Sequence, residues 1–414
     1  MTQTEQIPAE AVIHNACILD GDRATFAEET ADTWIAIAQG SVTARGRGDG
    51  WKDRAASASG DVIDAAGGFV APAFVDIHCH GAGGASAEDG AGAEDEASAE
   101  DGASAEDGAD AIDAILDVHR DHGTGRLALS FVSDTIDGLC RSLRAGAGIV
   151  RDRAMVTGLH AEGPFLSPDF KGAHAPEVLT SPTPEAVEAL LEAAAGTLAQ
   201  VTIAPELPGA LDAINRFTAA GVRVAIGHTA ADFELAAAAF DAGASILTHA
   251  FNAMPGIHHR APGPVLAAAE AEHVTVELIN DGVHVVAPVA RMLHELVPGR
   301  LALITDAMAA TGLRDGNYHL GSLPVEVTDS VARLVTSDGS PGAIAGSTLT
   351  MDEAVQRAVA EVGLSPFDAV QAASLVPLRA VGGADANNLL AIGMPADLLL
   401  LDDDMNIRGS QMGG

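Results

Sequence analysis

Five short motifs carry side chains able to bind a metal ion or move a proton. They are Asp76-Ile77-His78-Cys79-His80, His160-Ala161-Glu162-Gly163-Pro164, Gly227-His228-Thr229, Thr248-His249-Ala250 and Thr305-Asp306-Ala307. In an extended strand, residues i and i+2 share a face. His78 and His80 therefore point the same way and can share one ion, while Cys79 points to the opposite side. A single H-x-H is weak evidence. Five such motifs, each directly behind a different apolar run, are not coincidence. Four imidazoles and carboxylates at strand ends suit Zn²⁺ or a similar divalent ion.

Something must hold those ends together. From Gly68 onward, short apolar runs alternate with Ala-rich amphipathic stretches. The runs are Phe69 to Ile77, Ala128 to Val132, Met155 to Leu159, Gln200 to Ile203, Arg223 to Ile226, Ser245 to Thr248, Val274 to Ile279 and Leu301 to Thr305. Helix-sized segments lie between them, among them Pro184 to Gly196, Leu211 to Ala220, Asp232 to Ala242 and Val289 to Val297. Alternation of this kind predicts parallel βα units. Eight of them make an α/β fold of the (β/α)8 TIM barrel type, whose catalytic groups sit at the C-terminal strand ends. Met351 to Val362 and Phe367 to Val376 complete its outside. Residues 11–70 read instead as short strands (Ala11 to Leu19, Thr33 to Ile37, Ser41 to Ala44, Asp61 to Asp64). The tail from Leu389 regains β character and is expected to rejoin them. The predicted organisation is a small β-sandwich domain made of 1–68 and 385–414, with the barrel at 69–384.

The chain has 414 residues, 58 of them acidic against 22 basic, and a net charge of −36. So negative a surface repels nucleic acid and anionic membranes. No run of about 18 apolar residues suggests a membrane span. The first residues lack the basic-then-apolar pattern of a secretory leader. Cys17, Cys79 and Cys140 are too few and too scattered for a disulfide framework, which fits a reducing cytoplasm. Nine of the acidic residues fall in 86–109, four hexads of which three read SAEDGA. With nothing apolar larger than Ala, this stretch is expected to be a disordered acidic insertion. It follows His80-Gly81 and so emerges on the catalytic side.

The motifs resemble the amidohydrolase superfamily, and within it the family of N-acetylglucosamine-6-phosphate deacetylases. Besides the strand-end motifs, the likeness is carried by Pro72 to Gly81, Gly158 to Ser167, Lys171-Gly172-Ala173-His174, Ala204-Pro205-Glu206 and Thr248 to Met254. Arg260-Ala261-Pro262-Gly263, Asp281-Gly282-Val283-His284, Thr305 to Met308 and Ala345-Gly346-Ser347 extend it. It covers almost the whole chain outside the acidic hexads. The resemblance implies a main metal site at Glu162, His228 and His249. It allows a second ion at His78 and His80, so one or two ions per subunit, zinc first with iron, cobalt or manganese as alternatives. It implies catalysis by Asp306, with His174 near the acetyl group. Substrate contacts fall on Ala173, Asn252, Ala253, Arg260, Asp281, His284 and the segment Ile344-Ala345-Gly346. A homodimer with phosphate contacts across its interface is implied as well.

Many related hydrolases bridge two metals with a carboxylated lysine. Lys52 and Lys171 are the only lysines, and neither sits at a strand end, so Glu162 is expected in that bridging place. The expected reaction is hydrolysis of the acetamide of N-acetylglucosamine 6-phosphate to acetate and glucosamine 6-phosphate. Metal-generated hydroxide attacks, with Asp306 as base and then acid. Two other readings exist. One is an amidohydrolase acting on another N-acyl amino sugar or an N-acyl amino acid. The other is a non-catalytic sugar-phosphate-binding barrel, against which Asp306 argues. His258 and His259 could add positive charge for a phosphate. Cys17, Cys79 and Cys140 are read as packed side chains, and His119, His122, His273, His294 and His319 as packing or surface groups. The end of the tail, Gly409 to Gly414, lacks the apolar character of a closing strand.

Overall fold

The computed structural model describes residues 5–21, 32–57, 60–92, 105–336, 340–383 and 388–412. Its centre is an eight-stranded parallel sheet. The strands are β1 (Phe74–Cys79), β2 (Thr124–Phe131), β3 (Val156–Glu162), β4 (Leu198–Ile203), β5 (Arg223–Ile226), β6 (Ile246–Leu247), β7 (Thr275–Ile279) and β8 (Leu301–Ile304). Each pairs with its neighbour in chain order. The circle closes between first and last strands: the Asp306 N–H donates to His78 O at 2.9 Å and the His80 N–H to Ala307 O at 2.8 Å. Beneath that seam, the buried Asp76 carboxylate accepts the Thr305 hydroxyl at 2.5 Å and the Thr305 N–H at 3.3 Å. Each of the eight predicted runs contributes one barrel strand, and the fold is the expected one.

The helices follow from local sequence. Thr183 accepts from the Ala186 N–H at 3.2 Å with Pro184 in the first turn, and Asp232 accepts from the Leu235 N–H at 2.9 Å. Both are N-caps that satisfy otherwise orphaned donors. Their apolar faces pack on the barrel, with Val187, Leu190, Ala236 and Phe240 buried. Among the described residues no helix is long and apolar enough to cross a membrane.

The small β domain also forms. Its sheet follows Glu5–Gln6, Ile407–Gln411, Leu398–Leu401, Phe69–Pro72, Ala11–Ile18, Thr33–Ala38 and Ser41–Arg47, and Asp61–Asp64 pairs with Ala11–Ile18. Ile13, Ile35 and Ile37 from one part and Val70, Leu398 and Leu400 from the other bury into a common core.

Three expectations change. The run Phe69 to Ile77 is two strands: Phe69–Pro72 pairs with Leu398–Leu401 in the small domain, and only Phe74–Cys79 joins the barrel. The tail does end in a strand, Ile407–Gln411, because main-chain pairing with Leu398–Leu401 and Glu5–Gln6 needs no apolar side chains. Parts of the acidic hexads are helical rather than disordered, at Ala87–Gly92 and within Ala105–Asp121. Ser86 and Asp89 form a reciprocal cap (the Asp89 N–H to Ser86 Oγ at 3.2 Å, the Ser86 N–H to Asp89 Oδ2 at 2.8 Å). Ala87 and Ala91 are buried in the core cluster that includes Ile112 and Ile115, so partners elsewhere supply the apolar surface the hexad lacks. Residues 93–104 lie outside the described residues.

One element is new. After β8, four antiparallel strands (Gly316–Leu320, Leu323–Thr328, Val331–Val335 and Pro341–Ile344) form a separate sheet. Its core, Leu320, Val325, Val327, Ala332 and Ala345, packs on Met308 and Ala173 beside the barrel mouth.

Candidate active site

Glu162, the last residue of β3, lies at the centre of a ring of imidazoles and is only 4% exposed. Its Oε1 is 3.4 Å from His78 Nε2, 3.2 Å from His228 Nε2 and 3.1 Å from His249 Nε2. Its Oε2 is 3.1 Å from His80 Nε2 and 3.3 Å from His174 Nε2. His78 is the last residue but one of β1, His228 and His249 follow β5 and β6 by two residues, and Asp306 follows β8 by two. Asp306 Oδ1 is 3.4 Å from His80 Nε2 and 3.6 Å from His78 Nε2.

The outer nitrogens say which atom each ring offers inward. His78 Nδ1 is 3.3 Å from Glu277 Oε2, His80 Nδ1 3.1 Å from Ser130 O and His228 Nδ1 3.0 Å from Phe170 O. Those partners only accept, so each Nδ1 carries a hydrogen and each Nε2 is the atom turned inward, toward Glu162. Nε2 atoms then face one another at 3.2 Å (His78, His80) and 3.1 Å (His228, His249). Nitrogens so close need either a shared proton or a metal ion between them. Edges of that length are those of a shell with bonds of about 2.0–2.2 Å, the values for Zn²⁺ with nitrogen and oxygen. The donor set fits a divalent ion. His174 differs. The Ser133 N–H points at its Nδ1 (3.3 Å), so the hydrogen sits on Nε2, and that atom is a donor.

Charge follows the same arrangement. Burial raises the Glu162 carboxyl, but the surrounding imidazoles, His78 foremost, hold it well below the usual carboxylate range. Asp306 is likewise raised by burial and brought down overall by His78 and His80. Burial alone would lower His80, yet Asp306 and Glu162 lift it to about 9, whereas burial holds His228 at about 4. Three of the site residues have left-handed backbones: His228 (φ 48°), His249 (φ 22°) and Asp306 (φ 51°). Such conformations in non-glycine residues cost energy and concentrate at functional sites.

A cavity of about 370 Å³ opens above this ring. Of the residues singled out from sequence, His80, Glu162, Ala173, His174, His228, His249, Asn252, Ala253, His284, Asp306, Ile344 and Gly346 line it. His78 lies below, fully buried. Ala345 turns away into the neighbouring sheet core. Asp281 does not line the cavity; its carboxylate holds His284 instead, accepting from Nδ1 at 2.6 Å and from the His284 N–H at 2.8 Å. Arg260 is exposed on the His258–Ala261 turn, 2.7 Å from His259 Nε2, and is not part of the lining. Gly346 has φ +59°, and a Cβ there would meet Asp306 O at 2.9 Å, so a larger residue would push Asp306.

Sequence reading missed several groups. Phe170, Ile279, Leu320 and Ala343 add apolar walls, two of them from the unforeseen sheet. Glu277, Ser130, His160 and Thr202 form a buried polar floor: His160 Nδ1 is 2.9 Å from Ser130 Oγ, and Nε2 is 2.9 Å from Thr202 Oγ1. A polar residue inside an otherwise apolar strand, such as Glu277 in Thr275–Ile279, was the available signal. Cys79 packs in the main apolar core and also meets His119 Nε2 at 3.0 Å.

The model of the Amidohydrolase family matches residues 69–412. The chain belongs to the amidohydrolase family. An N-acetylgalactosamine-6-phosphate deacetylase of Escherichia coli O157:H7 is 33% identical over 347 residues, 82% of this chain and 85% of that protein. An N-acetylglucosamine-6-phosphate deacetylase of Vibrio furnissii is 34% identical over 69% of this chain and 72% of its own length. Among solved structures, the Mycobacterium smegmatis N-acetyl-D-glucosamine-6-phosphate deacetylase D267A mutant, in complex with N-acetyl-D-glucosamine-6-phosphate, superposes with a TM-score of 0.85. It shares 38% identity, with 98% of each chain covered. This amidohydrolase therefore falls in the branch of the N-acetylglucosamine-6-phosphate deacetylases, hydrolases of an amide bond.

Proposed function

We propose that this amidohydrolase removes the acetyl group of N-acetylglucosamine 6-phosphate, giving acetate and glucosamine 6-phosphate. The observation that carries the reading is the convergence on Glu162: four Nε2 atoms at the spacings of a divalent ion's shell, with Asp306 beside them at the floor of the cavity. Glu162, His228 and His249 would hold the main ion. His78 and His80 would hold a second, with Glu162 between them. The nitrogen and carboxylate set suits zinc, and also iron, cobalt or manganese. Such an ion supplies Lewis acidity that polarises a carbonyl and lowers the pKa of water to about 7.

The chain's own groups do the rest. Asp306, held ionised, takes the proton of the attacking water and delivers it to the departing amine nitrogen. His174, with its hydrogen on Nε2, donates to the amide oxygen as negative charge builds there. Asp281 fixes His284 so that Nε2 is the atom left to meet the sugar or its phosphate. Arg260 pairs with the phosphate through parallel N–H bonds. Its position outside the cavity lining supports a share of that contact across a homodimer. The buried free cysteines fit a reducing cytoplasm.

A second reading has its own support. The Escherichia coli relative is named for the galactose-configured substrate, so the epimer at C4 is a candidate too. The test is acetate release from N-acetylglucosamine 6-phosphate, its C4 epimer and unphosphorylated N-acetylglucosamine, after metal removal and readdition. Metal-dependent turnover is expected, with kcat/KM for the 6-phosphate at least about 100-fold above that for the free sugar. Equal rates on phosphorylated and free sugar would sink the phosphate claim. A higher kcat/KM on the epimer would reassign the hexose.

A further inference from the structure

We propose that Glu277 is a positioning residue that fixes both halves of the metal centre from below. The inference rests on reading the imidazole ring as a metal centre. Glu277 lies in the middle of β7, fully buried, two residues before Ile279 of the cavity wall. A carboxylate in the interior of a barrel is costly unless every lone pair is used. Here three donors use it. His78 Nδ1 is 3.3 Å from Oε2, the His249 N–H donates to the same Oε2 at 3.2 Å, and Gln200 Nε2 donates to Oε1 at 2.9 Å.

Those contacts have different consequences. The bond from Nδ1 locks His78 in the tautomer that presents Nε2 to the ion and makes that nitrogen a better donor. The bond from the His249 main chain holds a left-handed residue of the other half-site in its strained conformation. One oxygen therefore ties the H-x-H end of the site to the Glu162–His228–His249 end. Gln200, from β4 across the barrel, keeps the carboxylate turned toward both. Glu277 itself does not line the cavity, so it acts only through His78 and His249.

The experiment measures metal affinity of the purified full chain by competition with a chromophoric chelator, using Zn²⁺ as probe, and reads metal content at saturation. Glu277→Gln should leave saturating content unchanged and weaken binding about 10- to 100-fold. In a His78→Ala background the same substitution should change affinity far less, because its main route of action is gone. Undiminished affinity in Glu277→Gln overturns the proposal. So does an equal loss in both backgrounds, which would mark a general structural effect. If wild-type protein binds no divalent ion, it is the metal-centre reading that fails instead. Should the Gln variant not fold, Glu277→Asp keeps the charge but draws it back from His78. Weakened binding is again expected, and unchanged affinity is again decisive against.

Discussion

At the scale of single residues, the two groups without a place in the ion's shell make the sharpest predictions. Asp306→Asn keeps the shape but loses the base. It should lower kcat by about 10²–10⁴-fold while metal content stays at the wild-type level, checked by acetate release beside elemental analysis. His174→Phe removes the Nε2 donor and should cost about 10²–10³-fold in kcat, again with metal retained. Loss of metal in the His174 variant would make it a ligand and contradict the tautomer assigned from the Ser133 N–H. What could be read from sequence at this scale was the set of strand-end groups, because a strand terminus is a local property. Asp281 could not be placed. Its sequence neighbours say that it is near His284, but only the fold shows the carboxylate wrapped onto the imidazole and main chain of His284 instead of facing the cavity.

At the scale of elements, periodicity found the barrel strands to within a few residues, since a buried parallel strand is a short apolar run with a polar end. It failed where pairing depends on main chain alone, as in Ile407–Gln411, and where one apolar run serves two sheets, as at Pro72. The four-stranded sheet after β8 left only a short alternation at Leu323–Thr328 as its trace. The helix Ala105–Asp121 and the helix Met351–Arg357 are joined by an ion pair that no sequence pattern shows: His122, just past the first, lies 3.0 Å from both oxygens of Asp352. That bond, foremost among its causes, raises His122 above its ordinary value. A group whose folded pKa is raised stabilises fully below its unfolded pKa and loses that effect as pH climbs through the folded value. His122→Asn should therefore cost up to about 1 kcal/mol near pH 6 and almost nothing at pH 9, measured by denaturant unfolding at both. A cost that grows with pH would contradict the pair.

At the scale of the whole molecule, a chain of net charge −36 must, on the proposed function, admit an anionic substrate. The long-range field opposes entry, while His284 and Arg260 act only close by. Salt screens the first more than the second, because the Debye length shrinks from about 30 Å at 0.01 M to about 3 Å at 1 M. KM for the 6-phosphate should accordingly fall or stay flat as salt rises from 0.01 M to about 0.3 M, with kcat little changed. A KM that climbs steeply with salt would mean that a local cationic patch dominates the field.

The seam between β1 and β8 has one more consequence. It joins His78 and His80, near the start of the barrel, to Asp306, near its end, through Asp76 and Thr305. Asp306 is made only after all eight barrel strands, and on the proposed mechanism the two ends of the circle must meet before proton transfer is possible. A chain stalled before β8 already has Glu162, His228 and His249 but lacks the proposed acid/base. Activity is thus a report that synthesis and closure have both finished.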